Sequence, residues 1–182
     1  NGGSGSFRDL GRENNGITDN SPLKAGKGSF YEGGIRVPLI VRWPQTVEAN
    51  THTDVPVTSI DFYPTLLEAA DIAPPADYVL DGESLMPVLQ NPETPLDREA
   101  IYWHFPGYPN NPWRTTPVSV IRSGAWKLMK FYEDNRLELY NLAEDIGEED
   151  NLAEEHPEHR RELHDQLYEW LEMHEAPMPQ RR

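Results

Sequence analysis

A glycine-rich loop that runs straight into an apolar stretch constrains this chain more than any other feature. From Pro22 the sequence reads Leu-Lys-Ala-Gly26-Lys27-Gly28-Ser-Phe-Tyr31-Glu-Gly33-Gly34-Ile35, and continues Arg-Val-Pro-Leu-Ile-Val-Arg-Trp43-Pro44. Lys27 lies between two glycines, where no side chain blocks the approach of another group to the backbone. Gly33-Gly34 turns the chain into Ile35–Trp43, whose accumulation of Val37, Leu39, Ile40 and Val41 predicts a strand covered on both faces, as in a parallel or mixed sheet. A cation on a glycine loop beside a buried strand has the outline of an anion clamp. The plainer reading of Lys27 is a solvated loop side chain, because lysine is mostly exposed.

Composition narrows the function classes. With 182 residues, 37% apolar and 10% aromatic, the chain supports one domain with a real core, or one domain and a small appendage. No run of about 18 apolar residues occurs, so no membrane span is predicted. There is no cysteine, hence no disulfide, thiolate ligand or thiol nucleophile. The net charge of −15 is uneven: residues 133–175 hold 16 Asp and Glu against three Arg, while residues 1–44 carry a net +2. The acidic half argues against nucleic acid and anionic lipid as partners. The slightly positive half contains the glycine loop and suits an anionic substrate.

Residues 1–34 contain nine of the 13 glycines, and a loop of that length without periodicity is usually functional. After Pro44, Thr58-Ser-Ile-Asp61 reads as a capping box. It leads into a helix carrying Leu66 and Leu67, with a short first turn and a restart at Pro64, since a proline past the first turn removes a hydrogen bond. Asp81 to Leu89 reads as a turn and a short helix of about two turns. Residues 100–105, 118–123, 126–132 and 136–142 then read as four short strands, antiparallel because their connections are short. The uneven alternation over Trp126–Tyr132 predicts one partly buried face. Pro157–Met173 is an amphipathic helix with Leu163, Leu167, Trp170 and Leu171 on one side.

Three positions are candidates for chemistry. Lys27 is the first. His104, in Tyr102-Trp-His-Phe-Pro106, stands at a strand end before a loop rich in Pro, Gly and Asn, where pocket residues often lie; a histidine satisfied within the core is the alternative. Asn1, before Gly2-Gly3, means nothing in isolation. His156-x-x-His159 lacks a third metal ligand, and no nucleophile elbow, zinc motif or phosphate-binding Walker loop occurs.

Taken in order, Gly26-Lys-Gly-Ser-Phe-Tyr-Glu-Gly-Gly-Ile-Arg-Val-Pro38, Ile60-Asp-Phe-Tyr-Pro-Thr-Leu-Leu67, Asp81-Gly-Glu-Ser-Leu85, Tyr102-Trp-His-Phe-Pro106, Ile121-Arg-Ser-Gly-Ala-Trp-Lys-Leu128 and Glu138-Leu-Tyr-Asn-Leu142 with Asn151-Leu152 resemble the C-terminal third of the sulfatase family, in the alkaline-phosphatase-like superfamily. Only Phe7 to Asn20 has no counterpart. The resemblance implies an α/β fold, the C-terminal part of the sulfatase fold, ending in a small four-stranded antiparallel sheet packed on a C-terminal helix. It implies a division at residues 1–95, the end of the catalytic α/β domain, and 96–182, the antiparallel subdomain.

It also implies a chemistry. A formylglycine, made from a Cys or Ser in a Cys/Ser-x-Pro-x-Arg motif upstream, is hydrated, and one of its hydroxyls attacks the ester sulfur beside a divalent cation, Ca²⁺ or else Mg²⁺. On this resemblance Asn1 is a metal ligand, Lys27 binds the sulfate and His104 approaches the substrate. The expected partners are a sulfated small molecule or glycan and the N-terminal part of the same protein, in a periplasmic or secreted setting. The nucleophile motif is absent from these 182 residues, so the chain alone is expected to be inactive. Two other readings stay open: a phosphodiesterase or phosphonate hydrolase of the same superfamily, and a non-catalytic binding or structural subdomain.

Overall fold

The computed structural model describes residues 2–5, 17–108 and 115–180. Their contacts form two compact units: the described parts of Asn1–Pro38 together with Ala100–Arg182, and Leu39–Glu99. The boundaries between them fall after Pro38 and after Glu99. The glycine loop, however, belongs with the C-terminal half, because residues 24–32 cover one face of its sheet.

In the first unit, β1 (Ile101–Phe105), β2 (Val118–Ser123), β3 (Trp126–Phe131) and β4 (Leu137–Asn141) form an antiparallel meander in chain order. Trp103 faces Val120, Val120 faces Met129 and Met129 faces Glu138 across the ladders. Alternate side chains point to opposite faces. Val118, Val120, Met129, Phe131 and Tyr140 pack with Ala25 and Tyr31 of the glycine loop. On the other face Ile121, Leu128 and Leu139 meet Leu163, Leu167 and Leu171 of the C-terminal helix (Pro157–Met173). Those leucines recur every four residues and form one stripe. Burying each contributes about 1.5–3 kcal/mol before the ordering cost. Tyr102 adds a ring stacked on Trp170 at 4.7 Å. The partly buried face predicted for β3 is therefore corrected: two different layers bury its two faces, which also explains its weak alternation.

The predicted strand at Ile35–Trp43 does not form. Glu32–Ile35 closes a single helical turn, α1, with the Gly34 amide on the Tyr31 carbonyl and the Arg36 amide on that of Glu32. Residues 36–43 then run without a ladder partner among the described residues, and Ile40 is 90% exposed. A strand needs a neighbour for its N–H and C=O groups, and an apolar sequence alone does not supply one.

In the second unit a 3-10 turn at Ser59–Asp61 leads into α2 (Phe62–Ala69), and α3 (Met86–Gln90) follows. The capping box is present, with the Thr58 amide donating to Asp61 Oδ2 at 2.7 Å. The helix begins at Phe62 rather than Pro64, so Pro64 falls in the first turn, where its missing N–H is not needed. Among the described residues, no helix is long and apolar enough to cross a membrane.

Candidate functional site

The Lys27 loop is held by its main chain. The Gly2 amide donates to the Gly34 carbonyl at 2.7 Å, and the Gly5 and Lys27 amides both donate to the Gly3 carbonyl at 2.8 Å. The Asn20 side-chain amide reaches the carbonyls of Gly3, Ala25 and Gly33 at 3.1, 3.0 and 3.2 Å. Such crowding excludes side chains: a Cβ on Gly2 would lie 1.8 Å from the Gly33 oxygen, and one on Gly26 would lie 2.4 Å from the Gly5 nitrogen. Gly2 and Gly26 are therefore close-packing requirements.

Charged groups anchor this loop to the sheet unit. The loop closes on itself through the Gly33 amide and the Lys24 carbonyl at 2.9 Å. Lys24 Nζ donates to the Glu148 carbonyl at 2.6 Å and lies over the rings of Tyr31 and Tyr140. The Glu32 amide donates to Glu148 Oε2 at 2.7 Å. Lys127, wholly buried on β3, donates to Glu148 Oε1 at 2.8 Å and to Glu32 Oε1 at 2.9 Å. The second Glu32 oxygen faces Arg36 at 3.7 Å and Arg122 at 3.9 Å. Burial pushes the Glu148 carboxyl above its ordinary value, against the pull of Lys127. Tyr31 and Tyr140 both donate to Glu138 Oε2, at 2.7 and 2.9 Å, and burial followed by the Glu138 charge raises both phenols.

Lys27 itself is exposed, and its ammonium has no partner among the described residues. That combination gives a free cation on a fixed backbone, which can meet an anion without first breaking an internal ion pair. His104 is placed differently. Its Nε2 meets the Pro177 carbonyl at 2.8 Å, so Nε2 carries a proton; Nδ1, when the ring is neutral, accepts from Ser119 Oγ at 2.7 Å. Ser119 Oγ in turn accepts from the Tyr132 hydroxyl at 2.7 Å. His104 shares the face of Tyr102, toward the C-terminal helix, whereas the glycine loop covers the opposite face. The structure does not bring Lys27 and His104 together. Asn1 lies outside the described residues.

Sequence reasoning missed Glu32, Lys127 and Glu148. Lys127 carried a usable signal, since it shares its strand parity with Met129 and Phe131 and so stands in a row of buried positions. Glu148, in a polar run, carried none.

Residues 26–176 match the family model described as N-sulphoglucosamine sulphohydrolase, C-terminal. The chain belongs to this sulfatase family. A sulfatase of Formosa agariphila is 40% identical over 176 residues, which cover 89% of this chain and 32% of that protein. Among solved structures, BT4656 in complex with its substrate D-glucosamine-2-N,6-O-disulfate is 32% identical with a TM-score of 0.65, over 77% of this chain and 29% of that one. Ps i-CgsB in complex with k-i-k-neocarrahexaose is 29% identical with a TM-score of 0.71, over 84% and 32%. This sulfatase segment has the fold of those enzymes and spans about a third of the length of the curated relatives it matches. Among the described residues, no three His, Asp or Glu side chains gather to hold a metal ion.

Proposed function

We propose that this chain is the part of a carbohydrate sulfatase, a sulfuric ester hydrolase, that presents Lys27 to the sulfate group. The observation that carries the reading is the Lys27 ammonium, exposed and without a partner among the described residues, on a main-chain-fixed loop inside the segment that matches the sulfatase family. The carbohydrate class is supported by the D-glucosamine-2-N,6-O-disulfate and the k-i-k-neocarrahexaose named for the two solved relatives.

In this reading Lys27 donates to a sulfate oxygen and strengthens that contact as the S–O bond breaks and negative charge grows. A divalent cation, Ca²⁺ or Mg²⁺, and a formylglycine, both held largely by the remainder of the protein, supply Lewis acidity and the nucleophile, with Asn1 as this chain's contribution to the metal. The glycine main chain fixes the loop before substrate arrives, so less ordering is left for the moment of reaction.

The test uses the full-length protein with an aryl sulfate, a panel of sulfated sugars, and a phosphonate ester. Sulfate release that Lys27→Ala lowers about 100- to 1,000-fold in kcat, with an unchanged melting temperature, supports the reading. Hydrolysis of the phosphonate but not the sulfates assigns the protein to the phosphonate-hydrolase branch. Turnover of neither assigns a non-catalytic role.

A further inference from the structure

We propose that Glu148 is a positioning residue for Lys27, stapling both ends of the lysine's loop to one point of the C-terminal unit. This rests on Lys27 being the sulfate ligand. Glu148 receives three donors: Lys24 Nζ on its carbonyl at 2.6 Å, the Glu32 amide on Oε2 at 2.7 Å, and Lys127 Nζ on Oε1 at 2.8 Å. Lys24 opens the loop and Glu32 closes it, and Lys27 sits between them. The contacts reach 124 and 116 residues back along the chain, so they tie the connection after β4 to the glycine loop.

Three observations make Glu148 more than core packing. Among the described residues the Lys27 side chain has no partner, so within them its position is inherited from the backbone that Glu148 anchors. Glu148 is fully buried, where an apolar residue would avoid the desolvation cost of a carboxylate. Its backbone is also left-handed, with φ 53°, a conformation costly for a residue with a Cβ. Cost of that kind is retained where surrounding contacts require the geometry. Displacing a catalytic group by about 1 Å can lower turnover about 100-fold, so a loosened staple reaches the reaction through Lys27.

Glu148→Gln tests this without changing shape. Both carboxylate oxygens accept from donors, so the amide must set its NH₂ against either the Glu32 amide or the Lys127 ammonium. In the full-length protein, Glu148→Gln should lower kcat on an aryl sulfate about 10- to 100-fold, with no further loss in a Lys27→Ala background. In hydrogen exchange read by mass spectrometry, peptides spanning 25–33 should exchange faster, and those of β2 and β3 should not. Equal fractional losses in both backgrounds, or unchanged exchange over 25–33, overturn the proposal. If Lys27→Ala leaves kcat unchanged, the assignment of Lys27 has failed instead. Lys24→Met, which keeps the Glu148 side chain and removes the bond to its carbonyl together with the contacts of the ammonium to the Tyr31 and Tyr140 rings, is put through the same cycle and the same exchange measurement. It decides the matter if the glutamine variant does not fold; if the Lys27→Ala background is too slow to measure, the exchange over 25–33 in the two variants decides it.

Discussion

Arg98 grips Asp61 with both guanidinium nitrogens, Nη1 on Oδ1 at 2.6 Å and Nη2 on Oδ2 at 2.7 Å, and the Asp61 side chain is wholly buried. The same carboxylate accepts the amides of Thr58 at 2.7 Å and Glu83 at 3.1 Å. One acidic side chain thus gathers the start of α2, the turn before α3 and the end of the second unit. Removing its cation leaves a charge with nowhere to go. Arg98→Met should cost about 3–5 kcal/mol, read as a lower urea midpoint. Asp61→Asn added to Arg98→Met should recover part of the loss, since the stranded charge is gone.

Glu148 predicts a pH dependence. Its carboxyl is raised on folding above the ordinary 4.5, because burial disfavours the charged form. The folded state then holds the proton more tightly than the unfolded chain. The corresponding stability is fully present below 4.5 and is lost as pH rises through the folded value. Urea midpoints of the wild type and Glu148→Gln, measured from about pH 4 to about pH 8, should therefore drift against the wild type as pH rises. A difference that stays flat removes the linkage.

Three of the eight tyrosines should titrate late. Burial, with Glu138 assisting, raises Tyr31 and Tyr140 beyond the ordinary phenol range, and burial pushes Tyr132 up to about 12. Phenolate absorbance should show these three ionising only above the ordinary phenol range. Tyr31→Phe should remove one lagging group and cost about 1.5–3 kcal/mol, the range for a hydrogen bond to a charged partner.

His104→Leu should act on stability more than on substrate choice. The substitution removes the bond to the Ser119 hydroxyl, which keeps Tyr132 as a partner, and the bond to the exposed Pro177 carbonyl, which water can meet, at about 0.5–1.5 kcal/mol for each hydrogen bond lost. Selectivity among sulfated sugars should stay as it is, because the ring faces the helix side of the sheet, away from the Lys27 loop. A changed ranking of sugars at unchanged stability would restore His104 to the substrate pocket.

What was legible in the sequence follows from where the information is local. The four strands and the C-terminal helix appear close to their predicted limits, because turn residues punctuate the strands and the leucine stripe repeats within the helix. Ile35–Trp43 was misread because strand formation depends on a neighbour, and composition does not report one. Lys27 stood out through its glycine setting. Glu148 did not, because its importance lies in contacts more than a hundred residues away along the chain. His104 was visible as a residue, but which face of the sheet it joins follows only from the pairing register.

The fastening of Gly2 to Gly34, and of Lys27 to Gly3, uses only peptide groups. Its specification is therefore shared among glycines, and an exchange at Gly2 or Gly34, where a Cβ would meet main-chain oxygens, cannot be compensated by resizing a neighbour. For protein engineering this makes the loop a transplantable cassette only as a whole. A graft of Ala25–Gly34 into another scaffold would need the Gly2–Gly5 segment and Asn20 carried with it, or the lysine would arrive without its address.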